Sequence, residues 1–171
     1  MHTLTLQELG EFCIRQAVAL DSQDIPVWPV PGLHRLRCDH PKNISQLPWF
    51  CGLIESTLEP RDACLLWITR WGAWPSSENW HLYYRLRESY SDFKLLSEAP
   101  GHLFLQYEKH DLVSFLEIGI ISGWKMHLIP TVGYGRAYVH EEWVDFAMED
   151  SSQLEPIRDA LSKAGLKATC E

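Results

Sequence analysis

Glu78, His81 and Arg85 are spaced so that a helix through them carries a carboxylate, an imidazole and a guanidinium on one face. A carboxylate one turn from an imidazole is an acid/base pair, and Arg85 continues the same face. A small hydrolase or transferase could run on that set. A solvated polar face on a surface helix carries the same spacing and is the commoner outcome.

Directly upstream lies Trp71-Gly72-Ala73-Trp74-Pro75-Ser76-Ser77-Glu78-Asn79-Trp80, between the apolar run 63–69 and the helix-like run 81–87. A strand, a Gly/Pro loop and a Ser-Ser helix start together resemble the way α/β proteins build a ligand-binding crest. Read so, the crest gathers three loops, 70–79, 107–111 and 131–135. The residues expected to bind are Trp71, Trp74, Ser76, Ser77, Glu78, His110 and Tyr134. Aromatic walls beside a helix N-terminus suit a small anion-bearing ligand or a peptide. The alternative is that Trp71 and Trp74 close over the core and Ser77 merely caps a helix.

Other chemistry finds little support. His102 and His127 each precede an apolar run, and their rings would meet if the two strands were neighbours. No third ligand is fixed and no HExxH or closely spaced Cys/His set occurs, so no metal is expected. The five cysteines are odd in number and form no CxxC, and Cys13 and Cys64 read as small core residues. GxSxG, Walker and GxGxxG signatures are missing, and no cofactor is expected.

The elements that must position these residues begin with Thr5-Leu6-Gln7-Glu8, a capping-box pattern that opens a helix of about four turns running to residue 20. Pro26, Pro29, Pro31, Pro41 and Pro48 break up a covering segment, which leaves room for a short strand near 33–37 and a short helix near 48–57. Strands are expected at 63–69, 103–106 and 125–129, alternating with helices at 78–90 and around Leu112, Phe115, Leu116, Gly119 and Ile120. Residues 136–140 and 143–148 read as a hairpin, with helix as the alternative for the second arm. A last helix spans 151–166, and residues 167–171 should fray.

The expected fold is therefore α/β, with α+β as the alternative. It is a single domain over 1–171 with a mixed sheet of about five strands, three of them parallel through two β-α-β crossovers, followed by an antiparallel hairpin. Its parts are the N-terminal helix 1–20, the Pro-rich segment 21–61, the α/β core 62–148 and the C-terminal helix 151–166.

Among 171 residues there are eight tryptophans, an unusual number, and the formal net charge is −8. That sign argues against nucleic acid as a partner and suits a basic protein partner, or simply solubility. Arg85 and Arg87 with Arg70 nearby form the one basic cluster evident along the chain. The start of the sequence has no signal-peptide pattern and no run approaches a membrane span, so the expected location is cytoplasmic.

The strings Trp-Gly-x-Trp-Pro-Ser-Ser-Glu-Asn, His-Leu-Tyr-Tyr-Arg-Leu-Arg and Ala-Pro-Gly-His-Leu-Phe-Leu, within 62–148, resemble those of a family of uncharacterised soluble bacterial proteins. The resemblance implies a bacterial cytosolic protein and brings no activity with it. In composition alone, the acidic, Trp-rich chain is also similar to small immunity and antitoxin proteins. The leading expectation is a non-enzymatic protein-binding module using the crest. The hydrolase or transferase built on Glu78, His81 and Arg85 comes second, and a structural subunit that buries its Trp by self-association third.

Overall fold

The computed structural model describes residues 1–58, 62–71, 77–94, 97–133 and 135–170. Its centre is β3 (Ala63–Arg70), whose first six residues are all buried. A strand apolar on both sides must be covered on both faces of its sheet, and that requirement sets the architecture.

The other strands are β1 (His2–Leu4), β2 (His34–Asp39), β4 (Gly101–Leu105), β5 (Lys125–Pro130), β6 (Gly135–Val139), β7 (Trp143–Met148) and β8 (Ala168–Cys170). They form one sheet in the order β1-β4-β3-β5-β6-β7-β2-β8. Every pairing is antiparallel. This overturns the expected mixed sheet of about five strands with three parallel ones. Since β4 and β5 are each antiparallel to β3, they run the same way, yet β3 lies between them and they do not pair. The helix joining them does cross over, but it crosses a third strand. The connection from β3 to β4 returns to the end it left, so that Gly101 pairs with Trp67 and Pro100 O accepts from Ile68 N. A helix between two strands permits a parallel crossover without requiring one.

Among the described residues, five α-helices accompany the sheet: α1 (Leu6–Arg15), α2 (Leu47–Leu58), α3 (Ser77–Glu88), α4 (Lys109–Ile121) and α5 (Glu155–Lys163). The capping box is present. Thr5 Oγ1 accepts from Glu8 N at 3.4 Å, and Glu8 Oε2 accepts from Thr5 N at 2.8 Å. The helix it starts is shorter than the four turns expected. It ends at Arg15, and Ala17 takes a positive φ of 50°. The apolar stripe of α4 falls where its periodicity put it, and Gly123 ends it at φ 67°. Residues 136–140 and 143–148 are the hairpin β6–β7, with strand as its second arm. The tail expected to fray supplies β8, paired with β2.

Side chains alternate across a strand, so the sheet has two distinct faces. On one, Cys64, Leu66, Phe104, Leu128, Ala137 and Phe146 meet Phe50, Ile54, Phe115 and Trp124 in the main core. On the other, Leu65, Trp67 and Ile129 are covered by Leu9, Phe12 and Cys13 of α1. The second cluster is the smaller, and it stops at β5. Beyond β5 the second face changes character.

Trp124 is fully buried, its ring 5.4 Å from Tyr83 and 4.8 Å from Trp71. Trp124→Ala is expected to cost about 3–5 kcal/mol of folding free energy, as large-to-small core substitutions do. Urea denaturation, with its slope against denaturant unchanged, would check this.

Candidate functional site

Directly paired residues of an antiparallel ladder share a face. The registers therefore trace one continuous row on the second face: Trp67, His127, Tyr138, Asp145, Arg37 and Thr169, from β3 through β5, β6, β7 and β2 to β8. Its core-facing counterparts are apolar, so alternation has placed nearly all the polar chemistry of four strands on one side.

Asp145 sits at the middle of the row with no exposed surface. Its two oxygens accept from Arg37 Nε at 2.8 Å, Arg37 Nη2 at 2.9 Å and Trp28 Nε1 at 3.0 Å, and Arg35 Nη1 lies 3.5 Å away. A buried carboxylate persists only where donors replace its lost water. Here those donors are the side chains that shape the surface above it. Trp28, from the Pro-rich covering segment, packs 5.5 Å from Tyr138 and 6.0 Å from His127. On the neighbouring row, Trp143 carries the Arg37 guanidinium 3.8 Å from its ring centroid and His140 stacked at 4.5 Å.

One irregularity adds a further cation. Between Ile68 and Arg70 the β3–β5 register shifts, so Arg70 pairs with Lys125. Regular alternation would have turned Arg70 to the same side as Leu66 and Ile68. The extra residue brings it to the side of Lys125 and His127. Arg70 Nη1 and Lys125 Nζ then approach the same Glu141 oxygen, at 3.2 and 3.6 Å.

The result is an open groove of about 610 Å³ running from Thr69 to Arg37, with Trp28, Tyr138 and Trp143 as its aromatic surfaces. Arg35, Arg37, Arg70 and Lys125 line it with Asp21, and counting their partners Asp145 and Glu141 the four cations outnumber the three carboxylates by one. This local balance is opposite in sign to the whole chain. Burial, then the nearby Arg136, depresses the His127 pKa to about 3, and burial, then Lys125, also lowers that of His140. Burial raises that of Tyr138. Neutral rings and a protonated phenol leave the fixed charges to arginine and lysine.

The expected crest is divided by the antiparallel pairing. Trp71 follows the carboxyl end of β3, whereas the loops after β4 and β5 lie at its amino end, where Ala63 pairs with Leu105 and Cys64 with Pro130. Eight strand residues, roughly 25 Å, separate the two ends. His110, exposed in the first turn of α4, is thus far from Trp71. Trp71 is half-buried and packs edge-on against Trp124 and Tyr83. Ser77 opens α3, the helix that also carries Glu78, His81 and the exposed Arg85. Trp74, Ser76 and Tyr134 lie outside the described residues.

The basic cluster read along the chain is likewise dispersed. Arg87 is buried, donating to Tyr83 Oη at 3.2 Å and Asp92 Oδ2 at 3.1 Å, while Arg70 joins the groove. His102 and His127 pair with Leu66 and Trp67, consecutive residues of β3, so their rings point to opposite faces and cannot share a ligand. His102 instead meets Tyr83 Oη at 2.8 Å, and burial, then Arg87, brings its pKa to about 3. Among the described residues no group of three His, Cys, Asp or Glu could hold a metal ion. Cys13 and Cys64 are core residues as expected, and burial pushes the Cys38 and Cys64 thiols up to about 12.

Arg35, Arg37, Lys125, Tyr138, Trp143 and Asp145 escape a reading along the chain because they come from four strands far apart in sequence and form no motif, while His127 stands out there only as a candidate metal ligand. A signal was present. Arg35-Leu36-Arg37-Cys38, Lys125-Met126-His127-Leu128 and Arg136-Ala137-Tyr138-Val139 all alternate polar with apolar.

No family model matches the chain, and neither does any curated protein or solved structure.

Two outcomes follow from these buried groups. Asp145→Asn leaves Arg35 and Arg37 undercompensated and should cost about 2–3 kcal/mol, less than a fully buried pair because both guanidinia reach solvent; urea denaturation measures it. His102 and His127 stay neutral in the fold to about pH 3, while the unfolded chain protonates them below about 6.5. The unfolded state then binds more protons, so stability falls as pH drops below that value, by up to about 1.4 kcal/mol per pH unit for each ring. Stability curves between pH 7 and 5 should show this slope, reduced by one proton in His127→Gln.

Proposed function

We propose that the protein is a non-enzymatic recognition module that docks an acidic segment of a partner protein in the groove on the second sheet face. The observation that carries this reading is the Trp67-to-Thr169 row, with Asp145 holding Arg37 in place and Trp143 beneath it. Arginine and aromatic side chains dominate the energetics of protein interfaces, most of all where they are held rigid.

Shape favours an extended segment. From β3 to β2 the groove spans four inter-strand steps, roughly 19 Å, the reach of five or six extended residues. Charge favours an acidic one. The overall charge of −8 opposes such a partner at long range, but the Debye length is only about 8 Å at physiological ionic strength. Inside the groove the four cations outnumber Asp21, Asp145 and Glu141 by one. The immunity- or antitoxin-like role suggested by composition is compatible with such docking. The strand-end crest is no longer needed for it.

A fluorescein-labelled, acetylated Glu-Tyr-Glu-Tyr-Glu peptide supplies the test by fluorescence anisotropy. Wild-type protein should bind it at least ten-fold more tightly than the Gln-Tyr-Gln-Tyr-Gln analogue. Trp143→Ala should weaken binding by about 2 kcal/mol, the scale of an interface hot spot, with the melting temperature little changed. Equal binding of the two peptides, or an unaffected Trp143→Ala variant, would rule out this docking site.

A further inference from the structure

Glu141 occupies the turn between β6 and β7, and one of its oxygens faces both Arg70 and Lys125, at 3.2 and 3.6 Å. The two cations come from adjacent strands and converge only because the β3 irregularity turns Arg70 to the groove side. Converging cations of this kind are what an incoming carboxylate would need. In the free protein the carboxylate that fills the position belongs to the chain itself.

We propose that Arg70 and Lys125 form the acid-binding subsite of the groove, and that Glu141 is its built-in occupant, displaced when an acidic peptide docks. The proposal rests on the groove being the docking site. Exposure is the reason the occupant is exchangeable. Arg70 is 64% and Glu141 41% exposed, and an ion pair so wet holds its partner only a few-fold better than water does. Contrast Asp145, fully buried and held by Arg37 through two hydrogen bonds. One carboxylate is fixed and organises the groove, whereas the other sits on a turn at its rim and leaves at little cost. Arg70 and Lys125 are thereby kept pre-positioned in the free state, while weak or singly charged competitors face an internal rival.

The test is the anisotropy titration with the Glu-Tyr-Glu-Tyr-Glu peptide. Glu141→Gln should tighten binding by about two- to five-fold. Glu142→Gln removes the same charge from the next position of the same turn and should change binding by much less. The gain from Glu141→Gln should also shrink in an Arg70→Gln background, since the two substitutions act on one subsite. If wild-type protein binds and Glu141→Gln leaves affinity unchanged or lowers it, Glu141 is not the occupant although the docking groove stands. Equal tightening by Glu141→Gln and Glu142→Gln would reduce the effect to overall charge and overturn the subsite in the same way. If neither wild type nor Glu141→Gln binds the peptide, the groove reading falls and this inference with it.

Discussion

A carboxylate with no exposed surface in the middle of a sheet is the constraint on which the second face depends. Asp145 must be neutralised where it lies, and the chain does so with groups distant in sequence: Arg37 from β2, Trp28 from the covering segment and Arg35 at the margin. Each donor is thereby given a fixed position. Trp28 is drawn across His127 and Tyr138, and Arg37 is laid on Trp143. A leucine at 145 would remove the need for these donors and with it the order of the groove.

The apolar β3 supplies the complementary constraint. It needs cover on both faces, and α1 provides that cover only as far as β5. Among the described residues, no helix packs on the second face from β5 to β2. The sheet thus divides into a half that is packed for stability and a half whose polar residues are paired with one another across strands. Binding surfaces are often built in this way, with rigid secondary structure holding side chains that would otherwise lose rotamer freedom on contact.

Charge illustrates why position matters more than total. The chain is strongly acidic, and along its length the basic residues near 85 looked like its only cluster. Folding buries Arg87 against Asp92 and leaves Arg85 on an exposed helix face. Cations scattered at 35, 37, 70 and 125 become neighbours. The sign of the local field is therefore set by which strands pair.

Local interactions could be read directly from the sequence: the Thr5–Glu8 capping box, the α4 stripe with its Gly123 stop, the helix near residue 50, the β6–β7 hairpin and the burial of Cys13 and Cys64. Each depends on residues within a turn or two, where spacing determines geometry. Strand pairing does not. Alternation of strands and helices along the chain is the same whether β4 lies parallel to β3 or antiparallel, because a connection as long as 71–100 can return in either direction. The tertiary structure alone placed β3 between β4 and β5, separated His110 from Trp71, sent His102 and His127 to opposite faces and brought Arg35, Arg37, Arg70 and Lys125 onto one groove. Local order needs only neighbours along the chain, whereas a site assembled across five strands is decided by hydrogen-bond registers between residues far apart in it.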